Sequence, residues 1–169
     1  MGRTLGTRVG WLVVVLTVAV LAVSSCGDDN GDDEAAIPDD LVMMLETDAV
    51  SRIVDEDSGL DPETDPFSEI IVASDIGGDT ERPVDPNVVG LLGYSGRRAR
   101  FTNDPDAEIA ELEAVTTTDI AVVVIDDLRV DGERAEIDVR LWCGDGCDIA
   151  LSYEAEMGPE RFTITGVAE

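Results

Sequence analysis

The residues of this chain that could carry chemistry are three cysteines and an unusually large set of carboxylates. The 169 residues include 38 Asp and Glu but no His. Without His, neither a Ser-His nor a Cys-His nucleophilic pair can form, and Gly93-Tyr94-Ser95-Gly96 lacks the full G-x-S-x-G turn. Carboxylate pairs can hydrolyse glycosidic bonds, but no pair stands out among so many. The sequence therefore predicts no catalytic residue, and a carboxylate-dependent enzyme is kept as the alternative.

Two of the cysteines lie close together, in Cys143-Gly144-Asp145-Gly146-Cys147. The glycines allow a turn that brings the two Cα atoms within the roughly 4.4–6.8 Å that a disulfide requires. A zinc site is the alternative interpretation. Two thiolates without His or a second cysteine pair do not complete its tetrahedral ligand shell. We predict a Cys143–Cys147 disulfide, as suits an oxidising compartment.

The third cysteine, Cys26, follows an N-terminal segment with the pattern of an export signal. Arg3 and Arg8 precede the run from Trp11 to Val23, which is apolar apart from Thr17. A membrane-spanning helix needs about 20 apolar residues, and this run is shorter. Val23-Ser24-Ser25-Cys26 resembles the lipobox of bacterial lipoproteins. The resemblance implies a diacylglyceryl group on the Cys26 thiol and cleavage before it; an ordinary signal peptide and an uncleaved helix are the alternatives.

The net charge restricts the partners of the exported part. The formal charge is −27, and loss of Arg3 and Arg8 with the signal would leave about −29. Such a charge repels nucleic acid and anionic lipid headgroups. We therefore expect no nucleic-acid partner, and we expect the Cys26 lipid to hold the protein on the extracytoplasmic face of the cell membrane.

The chain divides into a signal peptide (1–25), a flexible acidic tether (26–37) and one folded domain (38–169). The tether has almost no apolar side chains to offset its ordering entropy. In the domain, apolar spacing predicts a helix over 38–55, a strand over 70–73, a helical turn over 88–92, a strand over 98–102, a helix from Asp104-Pro105 to Val115 and a strand over 120–125.

The last third of the chain has the clearest pattern. Apolar and polar residues alternate from Ala135 to Leu141, from Ile149 to Met157 and from Phe162 to Thr165, and Asp131-Gly132 is a hairpin signal. This is the pattern of strands with one wet face. We predict an α+β fold in which the N-terminal helix packs on a curved antiparallel sheet of four or more strands, ending in a β-meander.

The meander segments LRVDGERAEIDVRLWCGDGC, SYEAEM and RFTITGV resemble the C-terminal sheet of small secreted proteins with a cystatin-like or NTF2-like fold. Phe162 stands where such proteins often have a tryptophan. The resemblance covers about a quarter of the chain and implies a curved sheet, but fold analogy does not assign a function.

Two further groups of residues are candidates for binding. Asp55, Asp57, Gly59, Asp61 and Glu63 alternate somewhat like a calcium loop, but Pro66 occupies the position of the bidentate Glu, so we predict a solvated loop and no metal. A cation-binding surface protein is kept as an alternative. The only basic cluster, formed by Arg97, Arg98 and Arg100, could bind a carboxylate or phosphate or could pair internally.

Trp142 is predicted to point away from the core, because its neighbour Leu141 points inward. It is either an exposed contact residue or packed over the disulfide. Together these features favour a non-catalytic, membrane-anchored binding domain without a cofactor. Its partner would be another envelope protein, a cell-wall component or a small ligand in the concavity of the sheet; the oligomeric state is left open.

Overall fold

A computed structural model describes residues 37–60, 67–74, 83–94, 96–115, 119–144 and 146–168, all within the compact unit Asp33–Glu169. The predicted signal peptide, Cys26 and nearly all of the tether lie outside this range. The α+β class is confirmed. The elements are α1 (Asp39–Asp55), β1 (Glu69–Ser74), α2 (Val88–Gly93), β2 (Arg98–Thr102), α3 (Pro105–Val115), β3 (Ile120–Asp131), β4 (Arg134–Trp142), β5 (Asp148–Met157) and β6 (Phe162–Val167).

The six strands form one mixed sheet in the order β2-β1-β3-β4-β5-β6. β1 is parallel to both of its neighbours, β2 and β3, whereas β3, β4, β5 and β6 are antiparallel. The predicted meander is confirmed, but the prediction of an antiparallel sheet is wrong for the half formed by β2, β1 and β3.

The parallel half follows from the helices between its strands. α2 connects β1 to β2 and α3 connects β2 to β3, and parallel neighbours need such crossovers. Strands covered on both faces are apolar on both faces. Ile70 to Ser74 and Ala121 to Ile125 are buried without interruption, as that coverage requires.

One face of the sheet, here called the α1 face, carries the main core. Leu45, Ala49 and Ile53 of α1 pack there with inward side chains of β1, β3, β4 and β5, and Val88 and Leu92 of α2 join them. The helical spacing of the α1 residues places them along one stripe. The alternation in β4 and β5 supplies Ile137, Leu141 and Tyr153 to the same core. Burial of this apolar surface is the main stabilisation of the domain.

The opposite face is here called the α3 face, and the described residues cover it over only part of its width. Leu112 of α3 packs with Ile71 and Ala73 of β1 and Val122 and Val124 of β3. The part formed by β4, β5 and β6 presents mainly polar and charged side chains on this side. The edge of α3 therefore forms a step beside an open, polar area of sheet.

β3 is longer than predicted, because the strand continues past Ile125 after a bulge that ends the two-sided apolar stretch. Beyond the bulge, Leu128 and Val130 pair with Ile137 and Ala135 of β4. The hairpin predicted at Asp131-Gly132 is confirmed, and Gly132 has a φ of 59°, which favours glycine.

Candidate functional site

The hairpin between β4 and β5 brings Cys143 and Cys147 to disulfide distance. Their Cα atoms are 5.2 Å apart. The Cys143 N–H donates to the Cys147 carbonyl, and the Cys147 N–H donates to the Gly144 carbonyl, at 3.1 Å each. Gly144 and Gly146 have φ values of 102° and 83°, so this turn needs its glycines.

The arginine cluster is divided between carboxylates of the chain itself. Arg100 forms two hydrogen bonds with Glu108 of α3, at 2.7 and 2.6 Å, and a third with Glu69 of β1, at 2.7 Å. These carboxylates raise the pKa of Arg100. Arg97 forms an ion pair with Asp55 at the end of α1. Arg98 is exposed, with no ion pair to the described residues. Anion binding by the three arginines stays a prediction.

The acidic segment after α1 is described only as far as Leu60, so Asp61, Glu63 and Pro66 lie outside the described residues. Asp57 is engaged inside the domain, where its Oδ2 accepts hydrogen bonds from the Tyr153 hydroxyl at 2.7 Å and the Arg52 Nε at 3.2 Å. Within the described segments, no three His, Cys, Asp or Glu side chains are arranged to hold a metal ion.

Tyr153 is a buried polar residue with a hydrogen-bond partner, whereas the sequence pattern predicted only that it lies in a strand. It is 0% exposed, and the Arg52 guanidinium lies 5.5 Å from its ring centroid. Burial, followed by the hydrogen bond to Asp57, raises the pKa of Tyr153 above its usual value of 10.0. The alternation in β5 puts Tyr153 on the buried face, and a buried tyrosine needs a hydrogen-bond partner.

A buried carboxylate, Glu46, was also missed. Glu46 is 2% exposed, and its Oε2 accepts a hydrogen bond from the Asp85 N–H at 3.3 Å. It lies four residues after Val42 and four before Val50, so the helical period alone places it on the buried stripe. Glu46 thereby links α1 to the segment before α2.

Trp142 lies at the step between α3 and the open part of the α3 face. It is partly buried against the α3 core and is paired across the sheet with Val122 of β3 and Asp148 of β5. A groove of about 360 Å³ runs beside it. The groove is lined by Trp142 with Ile109, Glu113, Val124, Arg140, Gly144, Gly146 and Asp148. The prediction that Trp142 points away from the core of Leu141 is confirmed, because Leu141 lies in the core of the α1 face and Trp142 packs with the core of the α3 face. The packing of Trp142 beside α3 was not predicted, because the sequence does not show which face of the sheet α3 covers.

A second groove, of about 470 Å³, lies at the far end of the meander. Arg129 lines this groove and forms ion pairs there. Its guanidinium contacts Asp127 at 2.9 Å, Glu136 at 2.5 Å and Asp138 at 3.0 Å. Glu136 and Glu154 are directly opposite in adjacent strands, a like-charge pairing that costs stability. Arg129 offsets part of this repulsion.

The chain was compared with protein families, curated proteins and solved structures, and no family model, curated protein or solved structure matches it. Among the helices that the structure describes, none is long and apolar enough to cross a membrane. The lipobox resemblance and the cystatin-like or NTF2-like resemblance therefore stay predictions from the sequence.

Proposed function

We propose that this protein is a membrane-anchored lipoprotein that presents a non-catalytic binding domain on the extracytoplasmic side. The observation that carries the proposal is Cys26 directly after Val23-Ser24-Ser25, at the end of an apolar run that follows Arg3 and Arg8. This order of charge, apolar run and small residues is typical of a cleaved signal, and the cysteine supplies the thiol for lipid attachment.

Two features of the described domain support a binding role. The α3 face leaves a polar area of sheet open beside a groove that contains Trp142. The adjacent hairpin holds two cysteines at disulfide distance, which suits an oxidising compartment. A rigid sheet with a groove at its surface is suited to recognition of another molecule. The partner would be an envelope protein, a cell-wall component or a small ligand.

The test is intact mass and detergent partitioning of the protein expressed in a bacterial host that processes lipoproteins, beside a Cys26→Ala variant. We expect the wild-type protein to start at Cys26, to carry a diacylglyceryl mass and to enter the detergent phase, whereas the variant does none of these. An unmodified wild-type protein in the aqueous phase would contradict the anchor, and the domain would then have to act as a freely secreted protein.

A further inference from the structure

We infer that the groove beside Trp142 binds an organic cation, meaning a guanidinium or alkylammonium group. The inference rests on the proposed binding role and names its ligand chemistry. Residues from three parts of the fold converge there: Ile109 and Glu113 from α3, Trp142 from β4 and Asp148 from the start of β5.

The apolar part of the groove comes from the sheet and the helix together. Ile109 and Glu113 are one helical turn apart and lie on the same side of α3. Val124 and Trp142 form the neighbouring part of the sheet surface, and Trp142 stays partly exposed. An indole beside aliphatic carbons can accommodate the alkyl chain of a basic ligand, and the indole ring attracts a cation placed over its face.

The charged groups of the groove favour a cation. Asp148 is directly opposite Trp142 in the adjacent strand, and Glu113 lies across the groove on α3. No described residue forms an ion pair with Glu113 or Asp148. Arg140 is the basic group among the described residues that line the groove, and Asp126 holds it through hydrogen bonds of 2.8 and 3.0 Å. Two carboxylates next to an indole are therefore the charges that an incoming group meets.

The volume and the field of the molecule suit this ligand. A groove of about 360 Å³ is at the lower end of the range for small-molecule sites, enough for one basic side chain or a small amine. The net charge of −27 attracts cations to the whole surface and would increase the rate at which they arrive. The Trp142 indole beside the Glu113 and Asp148 carboxylates then distinguishes this groove from the remaining acidic surface.

The test uses tryptophan fluorescence of the full chain in neutral detergent with Trp11→Phe, which leaves Trp142 as the sole tryptophan. The probes are Nα-acetyl-arginine amide, its uncharged citrulline analogue and n-butylammonium. We expect a saturable change of Trp142 emission with the cations and none with the citrulline analogue. Tighter binding of the arginine derivative would point to a basic side chain of a partner, and tighter binding of butylammonium to a free amine; both support the site.

Matched variants separate the groove from the general acidity. Glu113→Gln and Asp148→Asn should each weaken binding about threefold, the size of an exposed ion pair. Glu111→Gln, on the same helix but outside the groove, should leave the affinity unchanged. Equal loss in Glu111→Gln, equal binding of the citrulline analogue, or no saturable change would overturn the inference. If Cys26 carries lipid but the groove binds no cation, the proposal of a membrane-anchored domain stands and only this inference fails. If the groove binds cations but Cys26 carries no lipid, only the proposal of a membrane anchor fails.

Discussion

At the scale of single residues, the described part of the domain buries a few polar side chains, and each of these has a hydrogen-bond partner. The Tyr153 hydroxyl donates to Asp57 over 96 positions of the chain, and Arg52 contacts both of these residues. This group fixes the end of α1 on the sheet. Replacement of one of these residues leaves another polar group without its hydrogen-bond partner. The unsatisfied group is the main cost to the free energy of unfolding.

Replacement of Tyr153 by Phe should lower the free energy of unfolding by about 1.5 kcal/mol at neutral pH, because it removes a hydrogen bond to a charged group. The raised pKa of Tyr153 means that the folded state keeps the proton when the unfolded chain loses it, near pH 10. The stabilisation is therefore present below about pH 10 and is lost as the pH rises further.

Urea unfolding of wild type and Tyr153→Phe at several pH values between neutral and strongly alkaline checks this prediction. The difference between them should shrink above about pH 10. A difference that stays constant through this range would show that the hydroxyl proton is not linked to folding. Tyr94→Phe is the matched control, since Tyr94 is 90% exposed.

At the scale of elements, α3 is held on the sheet by apolar packing from one side and by an ion pair between Glu108, in its first turn, and Arg100. Leu112 contributes the apolar contact, and Arg100 of β2 holds Glu108 of α3 with two hydrogen bonds. Hydrogen bonds from Arg100 lower the pKa of Glu108 below its usual value of 4.5. The helix is thereby connected to the edge strand that precedes it.

Replacement of Glu108 by Gln should destabilise the domain at neutral pH by less than about 1 kcal/mol, because the pair is partly exposed to water. The lowered pKa means that this contribution is present above about pH 4.5 and is lost as the pH falls below it. Thermal unfolding at neutral and acidic pH measures the effect. Glu111→Gln is the control, and an equal loss in both variants would assign the effect to general charge instead of to the Arg100 pair.

The β4–β5 hairpin gives a second prediction at this scale. Joint replacement of Cys143 and Cys147 by Ser should lower the free energy of unfolding by about 2 kcal/mol, the chain-entropy value for so short a loop. Chemical unfolding of both proteins measures the difference. Alkylation of the two thiols in wild-type protein only after reduction would establish the bond; alkylation without reduction would show that the pair is free.

At the scale of the whole molecule, the charge is the dominant property. A net charge of −27 opposes compaction, and the described ion pairs of Arg52, Arg97, Arg100, Arg129, Arg140 and Arg161 offset only part of it. Dissolved salt weakens both the repulsion between the carboxylates and the attraction within these ion pairs. Because the carboxylates far outnumber the arginines, the weakening of the repulsion is the larger effect.

An increase in NaCl from low to about 0.5 M should therefore raise the Tm by about 4 °C, the shift that corresponds to about 1 kcal/mol in a domain of this size. Thermal unfolding monitored by circular dichroism measures it. KCl at the same ionic strength should give the same shift. A fall in Tm with salt would mean that attraction within the ion pairs outweighs the net repulsion.

The sequence was sufficient to predict where the helices and strands lie, apart from the second half of β3, because helical and alternating apolar periods depend only on local geometry. It placed α1, the C-terminal meander and the cysteine hairpin, and it showed that Ile120 to Ile125 was apolar on both faces. It did not determine that β1 lies between β2 and β3, parallel to both, because strand order depends on contacts between distant segments. For the same reason, the sequence did not predict that Glu113, Trp142 and Asp148 line one groove, or that the Tyr153 hydroxyl donates a hydrogen bond to Asp57.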